Sequence, residues 1–291
     1  MKLLLLGASG LLGRQVAATF RAAGWELAAP THREVDLAHP EAVAALLTAS
    51  APDLILNCAA QRKPDLCEGN SPEVQALNID LPRRLAESGR PLIHISTDYV
   101  FNGANAPYAE DARRCPINAY GRQKAAAEAA IEEAPNALIL RLPILFGPTP
   151  DLRNSAVTIL AANLLAARGS CVKMDDLAIR YPTFTCDIAR QLLRLADPVC
   201  AGALRGIAHS SAEEPMTKFQ MALTIAPLIG VESSQCLPDR TPPAVPRPYD
   251  CHLSTRRLRR LGLFVEPTPF ATALIQTLAA AHSRPLEPRL P

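Results

Sequence analysis

The sequence predicts an α/β protein with a doubly wound parallel sheet and a smaller C-terminal lobe. Three observations predict this fold class. Short apolar segments alternate with helical patterns through the first half of the chain, a glycine-rich turn joins the first segment to the first helix, and the alternation loosens after about residue 147. Strands that alternate with helices of this length form crossover units, which build a parallel sheet covered by helices on both faces.

The first half contains five predicted strands and the helices between them. The strands are short apolar runs that suit burial on both faces of a sheet, at residues 2–7, 25–30, 53–60, 91–97 and 136–147. The predicted helices span residues 11–24, 39–51, 71–89 and 118–134. Gly24 ends the first helix and Pro40 lies near the start of the second, and these are positions that glycine and proline favour.

The second half is predicted to form most of the smaller lobe. Its predicted elements are helices at 155–169, 187–196 and 216–230, a late strand at 206–211 and a proline-rich loop at 238–250. We expect segment 184–211 to return to the main sheet. The predicted division is therefore a first domain at 1–150 and a smaller lobe made of 151–183 and 212–291.

Charge and composition restrict the classes of partner. The chain has 30 basic and 28 acidic residues, a net charge of +2, which indicates neither nucleic-acid nor membrane binding. The basic run Arg256–Arg260 fits either a solvated helix face or an anion contact. The eight cysteines form no CxxC pair, which argues against a zinc knuckle or a redox dithiol, and no acidic cluster indicates a metal. The N-terminal apolar run is too short for a secretory signal, so we expect a cytoplasmic protein with free thiols.

The stretch GASGLLG indicates a dinucleotide site. It places Gly7, Gly10 and Gly13 between the first strand and the first helix. These glycines permit a tight turn, a close approach to a pyrophosphate and close packing of helix on strand, while the helix N-terminus offers free N–H groups. A glycine-rich turn with a purely structural role is the alternative. A domain of this kind is called Rossmann-type.

The end of the second predicted strand indicates NADP(H) in preference to NAD(H). An NAD site usually has an acidic residue there for the ribose 2′-hydroxyl. This chain has Thr31, His32 and Arg33 before the acid Glu34, and a cation suits a 2′-phosphate. Ordinary surface residues are the alternative interpretation. Asp36 and Leu37 follow where a loop can cover the adenine.

Two further stretches carry candidate chemistry. In STDYVFNG, Thr97 lies at the carboxyl end of a predicted parallel strand, where open α/β folds bind ligands, and its hydroxyl can donate to a substrate carbonyl. In YGRQK, Tyr120 and Lys124 share one helix face, so the ammonium can lower the phenol pKa and hold a ribose hydroxyl. Tyr120 then protonates the oxygen as hydride reaches carbon. The alternatives are a polar turn with a buried Tyr99 and an ordinary surface Tyr–Lys pair.

These stretches, with LNID at 77–80, resemble the extended short-chain dehydrogenase/reductase family, and within it the dTDP-4-dehydrorhamnose reductases. The chain is also similar to the regulatory beta subunit of methionine adenosyltransferase. That second resemblance rests on QRKPDLCE (61–68), LRLPILFG (140–147), SAVT (155–158), RYPT (180–183) and MTKFQMA (216–222). The segment RPYDCHLS (247–254) resembles a loop that both groups share.

The resemblance implies roles for individual residues. It implies a catalytic triad of Thr97, Tyr120 and Lys124. Together with the residue patterns above, it predicts that the cofactor is bound by Gly7, Ser9, Gly10, Leu11, Leu12, Gly13, Arg33, Asp36, Leu37, Ala59, Ala60, Gln61, Asn78, Tyr120, Lys124 and Pro143. It implies that the substrate is bound by Asp98, Tyr99, Phe146 and Arg247. No metal is implied.

The function that the resemblance implies is NADPH-dependent reduction of a 4-keto nucleotide-sugar, such as dTDP-4-dehydrorhamnose in dTDP-L-rhamnose synthesis. One alternative is an NADP-binding regulatory subunit that docks on a methionine adenosyltransferase and does little catalysis. Another is a reductase of a different carbonyl compound. A homodimer is common in this superfamily.

Overall fold

The computed structural model describes residues 1–282 and shows an α/β architecture. The strands are β1 (Lys2–Leu6), β2 (Glu26–Ala28), β3 (Leu54–Asn57), β4 (Leu92–Thr97), β5 (Ala137–Leu142), β6 (Leu145–Phe146), β7 (Val172–Asp175), β8 (Thr183–Phe184), β9 (Gly206–His209) and β10 (Cys236–Asp239). The helices are α1 (Leu11–Ala22), α2 (Pro40–Ser50), α3 (Pro64–Cys67), α4 (Pro72–Gln75), α5 (Leu81–Glu87), α6 (Ala119–Ile131), α7 (Thr158–Ala166), α8 (Thr185–Cys200), α9 (Lys218–Leu228), α10 (Arg256–Arg260) and α11 (Phe270–His282).

The main sheet has six parallel strands in the order β2-β1-β3-β4-β5-β9. The chain moves outward from β1 to β2, then crosses to the other side of β1 to form β3. Ligands of open α/β sheets bind outside the carboxyl ends of the strands at such a reversal. The predicted doubly wound fold class is therefore confirmed, and β9 shows that residues 206–209 return to the main sheet.

The alternating side chains of β1 explain why an unbroken leucine run forms a strand. Leu3 and Leu5 face a core that α1 and α8 cover, whereas Leu4 and Leu6 face a core that α2, α5 and α6 cover. All four leucines are fully buried. Because successive strand residues point to opposite faces, a strand with helices on both sides needs apolar residues at every position.

A separate apolar core lies in the second half of the chain. It joins Phe146 to buried residues of α7, α9 and α11. Two short parallel pairs, β7–β10 and β6–β8, lie in this half. The predicted smaller lobe extended to residue 291, and its part beyond residue 282 lies outside the described residues.

Several predicted boundaries were wrong. The predicted strand 136–147 divides at Pro143, which lacks the N–H that a ladder needs, so β5 ends at Leu142 and β6 pairs elsewhere. The predicted loop 238–250 begins inside β10, and its partner β7 was not predicted. The predicted helix 71–89 contains a π-helical turn at Ala76–Asp80, in which the Leu81 N–H donates to Ala76 O, just before Pro82.

The basic run at Arg256–Arg260 forms α10, and its apolar residue anchors it. Leu258 is fully buried in the main core, and Arg256 and Arg260 are exposed. Arg257 donates to the backbone carbonyls of Ile207 and Arg205. The structure thus favours the solvated helix face over an anion contact for this run.

No helix within residues 1–282 is long and apolar enough to span a bilayer.

Candidate active site

The glycine turn brings α1 against the ends of β1 and β3. Gly7 has φ +79°, and a Cβ there would lie 2.8 Å from Ala59 N. A Cβ on Gly13 would lie 2.2 Å from Gly7 O, so this contact tolerates only glycine. Gly10 precedes α1 without a side-chain cap, which leaves the helix N-terminus free to hold phosphate oxygens. The turn therefore fits the pyrophosphate of a dinucleotide.

In the loop after β2, the Glu34 carboxylate is hydrogen-bonded within the loop, whereas the Arg33 guanidinium is available to a ligand. The Glu34 carboxylate accepts hydrogen bonds from the backbone N–H and the hydroxyl of Thr31, at 2.7 and 2.9 Å. Arg33 is exposed and makes no hydrogen bond or ion pair within residues 1–282. Asp36 accepts a bond from Ala38 N. The Glu34 carboxylate is therefore used within its own turn, and the charged group of this loop that can contact a cofactor is the Arg33 guanidinium.

Asn78 links two parts of the site by hydrogen bonds to Gln61 and Gln123. Its Oδ1 accepts from Gln61 N at 2.9 Å, and its Nδ2 donates to Gln61 O at 3.0 Å and to Gln123 Oε1 at 2.9 Å. These bonds fix the start of segment 61–68 against α6. Because all the hydrogens of the Asn78 amide are used by the protein, the structure shows a bracing residue, and the contact with cofactor implied for Asn78 stays a prediction.

Thr97 and Tyr120 meet at the carboxyl end of β4. The Thr97 hydroxyl accepts from Tyr99 N at 3.2 Å and donates to Asp98 Oδ1 at 3.0 Å, and it lies near enough to the Tyr120 phenol to act on its pKa. Gly121 allows this approach, since a Cβ there would lie 2.2 Å from Tyr99 O. Asn118 caps α6 by accepting from Gly121 N. Two local signals, an Asn cap and a following glycine, thus place the phenol beside the hydroxyl.

Lys124 is buried one turn further along α6. Its ammonium contacts His94 Nε2 at 2.8 Å and donates to Ile95 O at 2.7 Å. Asn57 Oδ1 accepts from Ala59 N, and Asn57 Nδ2 lies 3.2 Å from His94 Nδ1, so the histidine ring is held between Asn57 and Lys124. Burial lowers the pKa of Lys124 to about 8, against the opposing charge of Glu128.

The expected lowering of the Tyr120 pKa by Lys124 was wrong for this structure. Burial raises the pKa of Tyr120 above its ordinary value, and the nearby Thr97 hydroxyl acts in the opposite direction. A raised pKa keeps the phenol protonated at neutral pH, as a proton donor requires. His94 was missed, although it is a polar residue inside the apolar strand LIHIST.

A buried ion pair between Glu128 and Arg141 contacts the end of β4 through Ser96. Glu128 and Arg141 are fully buried, and Arg141 Nη2 donates to Glu128 Oε2 at 2.7 Å. Glu128 Oε1 also accepts from the Ser96 hydroxyl and from Arg141 Nε. Because Ser96 precedes Thr97, this network holds the strand end that carries the candidate catalytic hydroxyl.

The predicted substrate side contains a cluster of cations around Tyr99. The Tyr99 ring lies edge-on to Tyr120, with centroids 6.0 Å apart, and the Arg180 guanidinium lies 5.6 Å from the Tyr99 centroid. The charge of Arg247 also acts on Tyr99, and Arg180 and Arg247 both act on Lys218. Arg180 and Lys218 were not predicted, because only the tertiary fold brings residues 99, 180, 218 and 247 together.

Two predicted substrate residues differ in their surroundings. Asp98 is buried beside this cluster, and burial raises its pKa to about 6, partly offset by Arg180. Phe146 is fully buried and packs against Phe184 and Phe270 at centroid distances of 5.8 and 5.1 Å. The predicted substrate contact of Phe146 was therefore wrong: the side chain belongs to the apolar core of the second half. Pro143 is buried at the turn between β5 and β6.

Comparison with known proteins agrees with this architecture. The chain is 38% identical over 291 residues to methionine adenosyltransferase 2 subunit beta of Danio rerio, covering 95% of this chain and 90% of that protein. It is 33% identical over 275 residues, 90% of each chain, to a probable dTDP-4,6-dihydroxy-2-methyloxan-3-one 4-ketoreductase of Streptomyces antibioticus.

A solved structure shows the same fold. The dTDP-4-dehydrorhamnose reductase of Bacillus anthracis, crystallised in complex with NADP, superposes with a TM-score of 0.85 at 24% identity, covering 96% of this chain and 98% of that one. The RmlD substrate binding domain family matches residues 1–283. The chain therefore belongs to the RmlD substrate binding domain family.

Proposed function

We propose that the chain is an NADPH-dependent reductase of a 4-keto nucleotide-sugar, with dTDP-4-dehydrorhamnose as the first substrate to test. The observation that carries this proposal is that the Tyr120 phenol and the Thr97 hydroxyl lie beside each other at the carboxyl end of β4, with Lys124 one helical turn away. Membership of the family and the 4-ketoreductase relative support the reaction class.

The glycine turn fits the cofactor, and Arg33 is the cation that would hold a 2′-phosphate. When bound, NADPH supplies the hydride that adds to the carbonyl carbon of the sugar. Thr97 turns its single hydroxyl hydrogen from Asp98 Oδ1 to the carbonyl oxygen and orients it. Tyr120 transfers its phenol proton to that oxygen, so that the ketone becomes an alcohol. Lys124 is one helical turn from Tyr120 and is the residue that would hold the ribose.

The cation cluster favours an anionic substrate. Arg180 donates to the carbonyls of Pro248 and Ile179 and is committed to the fold. Lys218 makes no hydrogen bond or ion pair within residues 1–282, and burial lowers the pKa of its ammonium. Cations close to a candidate catalytic tyrosine suit the diphosphate of a nucleotide-sugar.

The experiment is NADPH oxidation by the purified protein with dTDP-4-dehydrorhamnose, beside NADPH binding measured by calorimetry. Substrate-dependent oxidation supports the proposal. Tight NADPH binding without turnover on this substrate would refute the rhamnose assignment and would lead to trials of other carbonyl compounds.

A second candidate function is an NADP-binding regulatory subunit of a methionine adenosyltransferase. The 38% identity to a beta subunit across nearly the whole chain favours it. Its test is size-exclusion chromatography of this protein mixed with a purified methionine adenosyltransferase catalytic subunit. A stable complex supports this candidate, and separate elution at about micromolar concentration counts against it.

A further inference from the structure

Arg247 is held by an acidic side chain from a distant part of the chain. Its Nη2 donates to both carboxylate oxygens of Asp65, at 2.9 and 3.0 Å, and its Nη1 donates to Val245 O. Asp65 lies in the first turn of α3, inside segment 61–68. The ion pair therefore bridges that segment to the loop that carries Arg247.

The bridge lies at the cation cluster of the candidate active site. The charges of Arg247 and Asp65 both act on Lys218, and the charge of Arg247 acts on Tyr99. The loop itself is anchored independently, since Arg180 donates to Pro248 O and Asn118 Nδ2 donates to Pro246 O. Release of Asp65 would therefore free the Arg247 guanidinium without removing those anchors.

The bridge is also weak enough for a ligand to replace it. The Asp65 side chain is 69% exposed and that of Arg247 is 19% exposed. Ion pairs with a solvent-exposed partner typically contribute about 0–1 kcal/mol. A diphosphate carries more charge than one carboxylate and also binds guanidinium groups in a bidentate manner.

We infer that Asp65 is an internal competitor of the anionic substrate, which occupies the Arg247 guanidinium until a diphosphate replaces it. This inference rests on the proposed function, because that function supplies a nucleotide diphosphate as ligand. Asp65 would thereby set the affinity for the substrate and make it depend on salt, without taking part in proton or hydride transfer.

The test is calorimetric binding of dTDP to the NADPH-loaded protein, wild type and Asp65→Asn. We expect the variant to bind dTDP about two- to fivefold more tightly at low salt. The gain should vanish at about 1 M salt, where charges are screened within about 3 Å. In an Arg247→Met background, Asp65→Asn should give no gain.

A matched control is Asp80→Asn, which removes another exposed Asp–Arg pair, Asp80 with Arg83 at 2.9 Å. This variant should leave dTDP binding unchanged. Equal dTDP affinity in the wild type and Asp65→Asn would overturn the inference and leave the proposed function standing. Binding of NADPH but not of dTDP by both proteins would overturn the nucleotide-sugar function and the inference with it.

Discussion

Replacing Glu128 with glutamine should destabilise the protein far more than the loss of one ordinary hydrogen bond. The carboxylate is fully buried and accepts bonds from Ser96, from Arg114 and, twice, from Arg141. Glutamine is nearly the same size but leaves the Arg141 guanidinium buried without its counter-charge. Breaking a buried pair in this way costs about 3–5 kcal/mol.

The assay is urea unfolding followed by circular dichroism, with Glu132→Gln as the matched control. Glu132 lies one turn further along, is 41% exposed, and accepts from the same Arg114 at 2.7 Å. Its loss should cost no more than about 1 kcal/mol. The Glu128→Met/Arg141→Met double variant should recover most of the stability, because apolar replacement of both partners removes the unpaired charge. Equal losses for Glu128→Gln and Glu132→Gln would refute this reasoning.

Three further predictions concern the cofactor site. Gly13→Ala would place a Cβ 2.2 Å from Gly7 O, so NADPH affinity by calorimetry should fall about tenfold or more, a cost of about 1.4 kcal/mol. Gly69→Ala, where a Cβ meets nothing within 4 Å, is its control. Arg33→Ala should weaken the binding of NADPH by roughly tenfold or more and leave the affinity for NADH nearly unchanged. Equal losses of affinity for the two cofactors would contradict the proposed 2′-phosphate contact. Because the pKa of Lys124 is about 8, its ammonium is lost as pH rises through that value. The rate of NADPH oxidation should therefore fall above about pH 8, and a profile flat to about pH 9.5 would contradict a role for that charge.

The parts of the site that follow a strand or a helix cap could be predicted from sequence. The glycine turn could be predicted from the spacing of its glycines, because Gly7 and Gly13 lie at close backbone contacts within or next to the turn. Thr97 ends β4 and Tyr120 lies in the first turn of α6, and the sequence predicts both elements, so the meeting of these residues at the carboxyl end of the sheet follows from parallel topology.

The residues that were missed or wrongly assigned depend on tertiary packing. Phe146 lies only four residues beyond β5, but the break at Pro143 turns it into the second core. The pairing of Asp65 with Arg247 spans 182 residues, and no local pattern indicates it. Burial, which cannot be deduced from sequence spacing, also decides that the pKa of Tyr120 is shifted upward.

Tyr120 is the proposed proton donor in the carbonyl reduction. The most direct measurement compares the wild type with Tyr120→Phe for NADPH oxidation at saturating dTDP-4-dehydrorhamnose, with NADPH affinity measured on both. The phenylalanine variant should keep its NADPH affinity within about threefold and lose about 10²–10⁴ of the turnover, the usual contribution of a general acid. A variant that turns over at the wild-type rate would contradict the mechanism.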